Sequence, residues 1–129
     1  RESGETVRIY KFHGHSGVVN PSALSYSESS QHEHWDISSV KIDDFLDDND
    51  TNVLIKIDVE GHELEVIHGG REYFSNCNQC TVFLELHSDF IRKQQQDPGE
   101  VLSFFEDLGY TRTNLGDHGG LGWYIFERE

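Results

Sequence analysis

Residues 53–59 set the strongest limit on how this chain folds. Val53, Leu54, Ile55, Ile57 and Val59 form a nearly unbroken aliphatic run, and three carboxylates, Asp58, Glu60 and Glu63, arrive with Gly61 as the run ends. Such a run predicts a β-strand covered on both faces in a parallel sheet. Ligands of open α/β sheets bind beyond the C-terminal ends of the strands, so acids at this place are positioned for chemistry rather than for packing.

The rest of the chain supplies partners for that strand. Residues 6–12, TVRIYKF, alternate in polarity and predict a strand with Val7 and Ile9 inward. From His13 to Asp36, with Gly14, Gly17, Pro21 and many serines, a long surface loop is expected, of the kind that serves as a lid or binding segment. Val40 and Ile42 suggest a short strand, after which Asp43 caps a brief helix carrying Phe45 and Leu46. Leu64, Ile67 and Phe74, with Val66 and Tyr73 beside them, predict one amphipathic helix, in which Gly69 and Gly70 mark a kink or a close approach. TVFLEL, residues 81–86, is a second buried strand, ending in Glu85 and His87.

DPGE then announces a helix, with Asp97 as N-cap, Pro98 at the first position and Glu100 completing a capping box. Val101, Phe104, Phe105 and Leu108 form its apolar face and Gly109 ends it. Two final strands, Tyr110–Leu115 and Trp123–Glu127, are joined by the turn GDHGGLG. The order is an α/β fold: a parallel sheet closed by an antiparallel hairpin, residues 1–50 forming a strand, polar loop and short helix, and 51–129 the α/β half.

At 129 residues this is one small domain. Ten Lys and Arg against 24 Asp and Glu give a net charge of -14, which repels phosphate backbones and anionic membrane surfaces and argues against nucleic acid as a partner. No apolar run approaches the roughly 20 residues that span a bilayer. Cys77 and Cys80 form a single C-x-x-C pair without a second pair at zinc-ribbon spacing, so reduced thiols in a cytoplasmic compartment are expected. The chain starts at Arg1 and has no methionine, so a preceding segment is expected.

Polar residues gather at three strand ends: Asp58 with Glu60, Glu85 with His87, and Asp117 with His118 in the final turn. Carboxylates there can deprotonate a hydroxyl, hold a hard cation such as Mg2+, or orient a cationic group, and histidine adds a base that titrates near neutrality. Each has a plainer reading. Asp58 and Glu60 suit the N-terminus of the next helix, Glu85 and His87 can be solvated residues leaving a strand, and glycines alone explain the final turn. His13, His15, His32 and His34 make two H-x-H pairs, better read as a solvated loop than as a zinc site.

LIKIDVEGHELEVIHGG at 54–70, followed by TVFLELH at 81–87, resembles the signature region of FkbM-type methyltransferases, which use S-adenosylmethionine and commonly methylate hydroxyl oxygens. GETVRIY, VKIDDFL and LSFFEDLGY resemble that family in the same order. The resemblance implies a class I, Rossmann-like sheet in which KIDVEG ends the fourth strand, with Asp58 and Glu60 facing the transfer site and Asp58 beside the methyl donor. It further implies that Glu63, Glu85 and His87 contribute to substrate or metal contact, with Asp117 and His118 on the same side. The family's glycine-rich turn after strand one and acid after strand two, which hold the donor, are not matched, so a C-terminal portion of the domain is expected.

An open flank on the strand at 53–59, and self-association through it, follow unless residues 6–12 cover it. Methyl transfer to a small-molecule or glycan hydroxyl is the function expected. The alternatives are a noncatalytic interaction module on the same scaffold and a metal hydrolase using Asp58, Glu60 and His87.

Overall fold

The computed structural model describes residues 4–12, 15–18, 33–45, 47 and 51–129, and of 7–12 and 15–18 it describes the backbone. The chain divides into two compact units, Arg1–Val40 and Lys41–Glu129. The first is an antiparallel sheet of β1 (Thr6–Phe12), β2 (His15–Val18) and β3 (His34–Ser38) in the order β2-β1-β3. Both edges of β1 are paired, Phe12 with His15 and Tyr10 with His34. The segment expected as a loop from His13 to Asp36 therefore begins and ends in strand, because the ladder bonds on β1 outweigh its polar composition. Its middle, His13, His32 and the inward placement of Val7 and Ile9 lie outside the described residues and side chains.

The second unit carries a 3₁₀ turn (Ile42–Phe45), β4 (Val53–Ile57), α1 (Glu63–His68), α2 (Arg71–Asn76), β5 (Cys80–His87), α3 (Ser88–Lys93), α4 (Gly99–Asp107), β6 (Thr111–His118) and β7 (Leu121–Arg128). Its sheet has the order β4-β5-β7-β6. β4 and β5 are parallel, β7 lies antiparallel to β5, and β6 pairs with β7 as the expected hairpin. Among the described residues no helix is long and apolar enough to cross a membrane.

Several expectations are corrected here. No strand forms at Val40 and Ile42; the 3₁₀ turn stands there, with Phe45 exposed. Asp43 caps a different helix, since its Oδ1 accepts the Tyr73 N–H at 2.8 Å, in the first turn of α2, while its own N–H donates to Gly69 O. The run at 53–59 stops pairing at Ile57 and is covered on one face only: Ile57 is buried, whereas Leu54 is 74 % exposed. As the end strand of its sheet, β4 has neighbours on one side. The single helix expected across 64–74 is two, α1 and α2, broken at Gly69 and Gly70. A side chain at Gly70 would lie 2.7 Å from the Phe74 ring, so the break and the tight packing go together.

Three features of the C-terminal half follow from local sequence. Asp97 Oδ1 accepts the Gly99 N–H at 2.8 Å ahead of α4, but Pro98 and not Asp97 stands at the N-cap and no Glu100 side-chain bond completes the expected capping box; Gly109 follows that helix with φ +88°. The hairpin turn is shorter than expected, only Gly119 and Gly120, both at positive φ, so Asp117 and His118 are strand residues of β6.

The core lies against one face of this sheet. Phe74, Phe105 and Phe126 are fully buried, with Phe105 5.1 Å from Phe74 and 4.7 Å from Phe126 between ring centroids. Leu64, Ile67, Val82, Leu84, Ile91 and Val101 fill the space around them. Arg128, at the end of β7, holds helix ends together: its guanidinium donates to Ser75 O at 2.8 Å, Leu108 O at 3.2 Å and Cys77 O, and lies over the Tyr110 ring. The Tyr110 hydroxyl donates to Phe74 O at 2.8 Å, and Cys77 and Cys80 beside it are buried and not joined in a disulfide.

Candidate active site

Strand register assembles the site. Ile57 of β4 is paired with Leu84 of β5, so one residue further on Asp58 falls opposite Glu85, on the sheet face away from Ile57 and Leu84. His87, two residues beyond Glu85, stays on that face, and Trp123 joins it because β7 pairs Trp123 with Glu85. Asp58, Glu85 and His87 each offer a ligand atom, and all three atoms lie within 4.8 Å of one another. The side chains differ in exposure: Asp58 is 36 % exposed, His87 nearly buried.

His87 is fixed from behind by Glu63. Glu63 Oε1 lies 2.7 Å from His87 Nδ1 and also accepts the His87 backbone N–H at 3.2 Å. With Glu63 ionised and the imidazole neutral, this contact places the ring proton on Nδ1 and leaves Nε2 with its lone pair, since a carboxylate only accepts. Nε2 faces Asp58 Oδ1 at 3.8 Å, too far for a hydrogen bond and wide enough to admit an oxygen at about 2.8 Å from each. Asp58 Oδ2 meets Lys56 Nζ at 3.8 Å, and Glu85 Oε1 accepts the Trp123 indole N–H at 3.1 Å. Asp58 and His87 thus each have one polar atom held and another facing the gap, and Glu85 brings a carboxylate oxygen within 4.8 Å of both.

Glu63 itself is fully buried, behind His87. Its helix face explains the burial, since Glu63 and Ile67 are four residues apart and Ile67 is buried too. Glu60 sits exposed with φ +50° in the turn after β4, beside the Asp58, Glu85 and His87 group in sequence and outside it in ligand geometry. Asp117 and His118 are exposed on β6, and β7 stands between them and β5. Their hairpin does reach the same end of the sheet, where Ser88 N–H donates to Gly120 O at 2.9 Å.

Three side chains of the site, Phe90, Gln94 and Trp123, escape sequence reading. Phe90 stacks on the His87 ring, centroids 5.9 Å apart and planes at 19°, and is 46 % exposed, so it walls one side of the imidazole. Gln94 donates to Gly61 O at 2.9 Å and ties the turn after β4 to α3. Gly61, at φ +99°, lets that turn press against α3, because a Cβ there would lie 2.6 Å from Phe90 Cβ. The polar segment 88–96 has no periodicity that announces Phe90 or Gln94, and the role of Trp123 needs the strand register.

A buried carboxylate orienting a histidine, whose other nitrogen faces a second carboxylate at the end of a parallel strand, is an arrangement for taking a proton or holding a cation. Neither the curated proteins nor the solved structures give a match to this chain. The model of the FkbM methyltransferase domain matches residues 3–112, and the chain belongs to that family.

Proposed function

We propose that this domain is the acceptor side of an S-adenosylmethionine-dependent O-methyltransferase, and that β4, β5, β6 and β7 are the fourth to seventh strands of a class I, Rossmann-like sheet. The parallel β4–β5 pair and the closing hairpin support that placement. The observation that carries the reading is the line Glu63–His87–Asp58 at the ends of β4 and β5.

In this reading the acceptor hydroxyl enters the 3.8 Å gap between His87 Nε2 and Asp58 Oδ1. The pair draws off its proton, and Glu63 holds the ring in the tautomer that presents Nε2. Asp58, Glu60 and His87 form the reacting edge, with Asp58 also nearest the donor, while Glu85, Asp117 and His118 contribute to the acceptor's surroundings. S-adenosylmethionine supplies the methyl group, and the partly exposed Asp58 carboxylate suits its sulfonium by charge. Among the described residues none corresponds to the family's donor-holding turn, so the fit extends to the acceptor edge. Positioning contributes on the order of 7 to 11 kcal/mol to such a transfer and a placed base about 100- to 10,000-fold.

The test is transfer of radiolabelled methyl from S-adenosylmethionine to a panel of sugar and small-alcohol acceptors. His87→Ala and Asp58→Asn are each expected to lower the rate at least about 100-fold. Glu63→Gln should lower it less and displace the pH–rate profile. Transfer unchanged in both His87→Ala and Asp58→Asn sinks the reading.

A further inference from the structure

The gap between Asp58, Glu85 and His87 has the chemistry of a metal site. We propose that it binds one divalent first-row transition ion, of the Mn2+ or Zn2+ kind, through His87 Nε2 and one carboxylate oxygen each from Asp58 and Glu85. One imidazole nitrogen and two carboxylate oxygens suit such ions better than Mg2+, which prefers oxygen throughout. Two carboxylates also match the charge of a divalent ion.

Two observations point to a cation independently of the acidic cluster. First, the His87 side chain is 9 % exposed, and its Nε2 has no hydrogen bond, being 3.8 Å from Asp58 Oδ1. The free ring nitrogen of a nearly buried imidazole, facing a carboxylate-lined gap, is a ready ligand position for a cation. Second, Glu63 is wholly buried, its Oε1 is on His87 Nδ1 and its Oε2 has no hydrogen-bond partner, so a cation on Nε2 would offset the cost of an ionised carboxylate there. A carboxylate on Nδ1 is the arrangement that orients a metal-bound histidine and raises its basicity. Trp123 on Glu85 Oε1 and Lys56 near Asp58 Oδ2 likewise hold one atom of each carboxylate and leave the other.

The geometry needs a small closure. At bond lengths of about 2.1 Å two ligands on one ion are at most about 4.2 Å apart, and the 3.8 Å between Nε2 and Oδ1 subtends about 130°. The widest spacing, up to 4.8 Å, must shrink by about half an ångström, within a side-chain rotation of Glu85. With two or three ligand positions left over, the ion has room for a hydroxyl oxygen. The site stands by itself; its consequence for the reaction rests on the methyl-transfer reading, where with an ion bound His87 would serve as its ligand instead of as base, the ion would polarise the hydroxyl and the free oxygen of Asp58 would take the proton.

Titration of the metal-free chain with MnCl2, followed by electron paramagnetic resonance, and with ZnCl2, followed by calorimetry, tests the proposal without any activity readout. One Mn2+ per chain is expected, with affinity lowered at least about 10-fold by Glu85→Gln and about 10- to 100-fold by Glu63→Gln. Near-ultraviolet circular dichroism checks that the half-buried Glu85→Gln variant stays folded. No Mn2+ binding up to millimolar concentration overturns the proposal. So does binding that survives both Glu85→Gln and His87→Ala, which assigns the ion to the H-x-H pairs at His13, His15, His32 and His34. Metal bound at the cluster without methyl transfer leaves the site intact and removes the transferase reading. Transfer that proceeds undiminished with no metal bound keeps the transferase reading and removes the ion's part in the reaction.

Discussion

Replacing Gly61 with alanine tests how the turn after β4 is held, and the structure gives the size of the effect. Gly61 has φ +99°, where an L-residue is strained by about 1–2 kcal/mol. The added methyl would also lie 2.6 Å from Phe90 Cβ, about 1 Å inside normal contact, and overpacking of that kind costs about 1–3 kcal/mol. The sum is about 2–5 kcal/mol, a large part of the stability of a small domain. Urea unfolding should show the midpoint falling with the slope unchanged. The colliding atom is Phe90 Cβ, which alanine retains, so Gly61→Ala should cost nearly as much in a Phe90→Ala background. A loss under about 1 kcal/mol, or full rescue by Phe90→Ala, refutes the argument that backbone conformation and close approach to α3 together require glycine.

Glu63→Ala should lose about 3–5 kcal/mol by leaving His87 Nδ1 and the His87 N–H unsatisfied, whereas Glu63→Gln, which keeps an acceptor oxygen, should lose less than about 2, both by chemical denaturation. Arg128→Ala should cost about 2–4 kcal/mol, and Arg128→Lys should recover only part of it, since one ammonium cannot reproduce the fork that meets Ser75, Cys77 and Leu108; thermal melting of both variants decides this. Burial, reinforced by a hydrogen bond with Cys80, pushes the Tyr110 phenol up from its ordinary value of 10.0. The raised folded value means that this group's stabilisation is complete below about pH 10 and is lost as pH rises from there, and Tyr110→Phe should remove that part of the alkaline destabilisation seen in melts from pH 8 to 11.

What the sequence made legible was local. The aliphatic run with its terminal acids, the DPGE start of α4 and the Gly109 stop each rest on a few neighbouring residues whose preferences agree with the fold. Asp58 and His87 were legible as candidates because strand ends are where such residues can act. What escaped depended on distance along the chain. Asp43 caps a helix thirty residues away, and Trp123 meets Glu85 across a ladder, so no local pattern encodes either. The burial of Glu63 follows from its spacing from Ile67, whereas its contact with His87 depends on a strand twenty-four residues further on. The strands at His15–Val18 and His34–Ser38 were hidden by a polar composition that pairing with β1 overrides.

The strand order β4-β5-β7-β6 also governs how the second unit comes into being. β7 is its last strand in sequence, yet it is inserted between β5 and β6, and the ladder from Cys80–Arg128 to His87–Leu121 is what joins the two sides of the sheet. Until β7 is in place, β5 has an open edge toward it and β6 has no strand to pair with. During synthesis the helices and the β4–β5 pair therefore wait for the closing strand, and a ribosome paused before Leu121 displays an incomplete sheet rather than a smaller finished one. Removing residues 121–128 would divide the sheet at its middle, so tolerance of truncation should end where β7 begins.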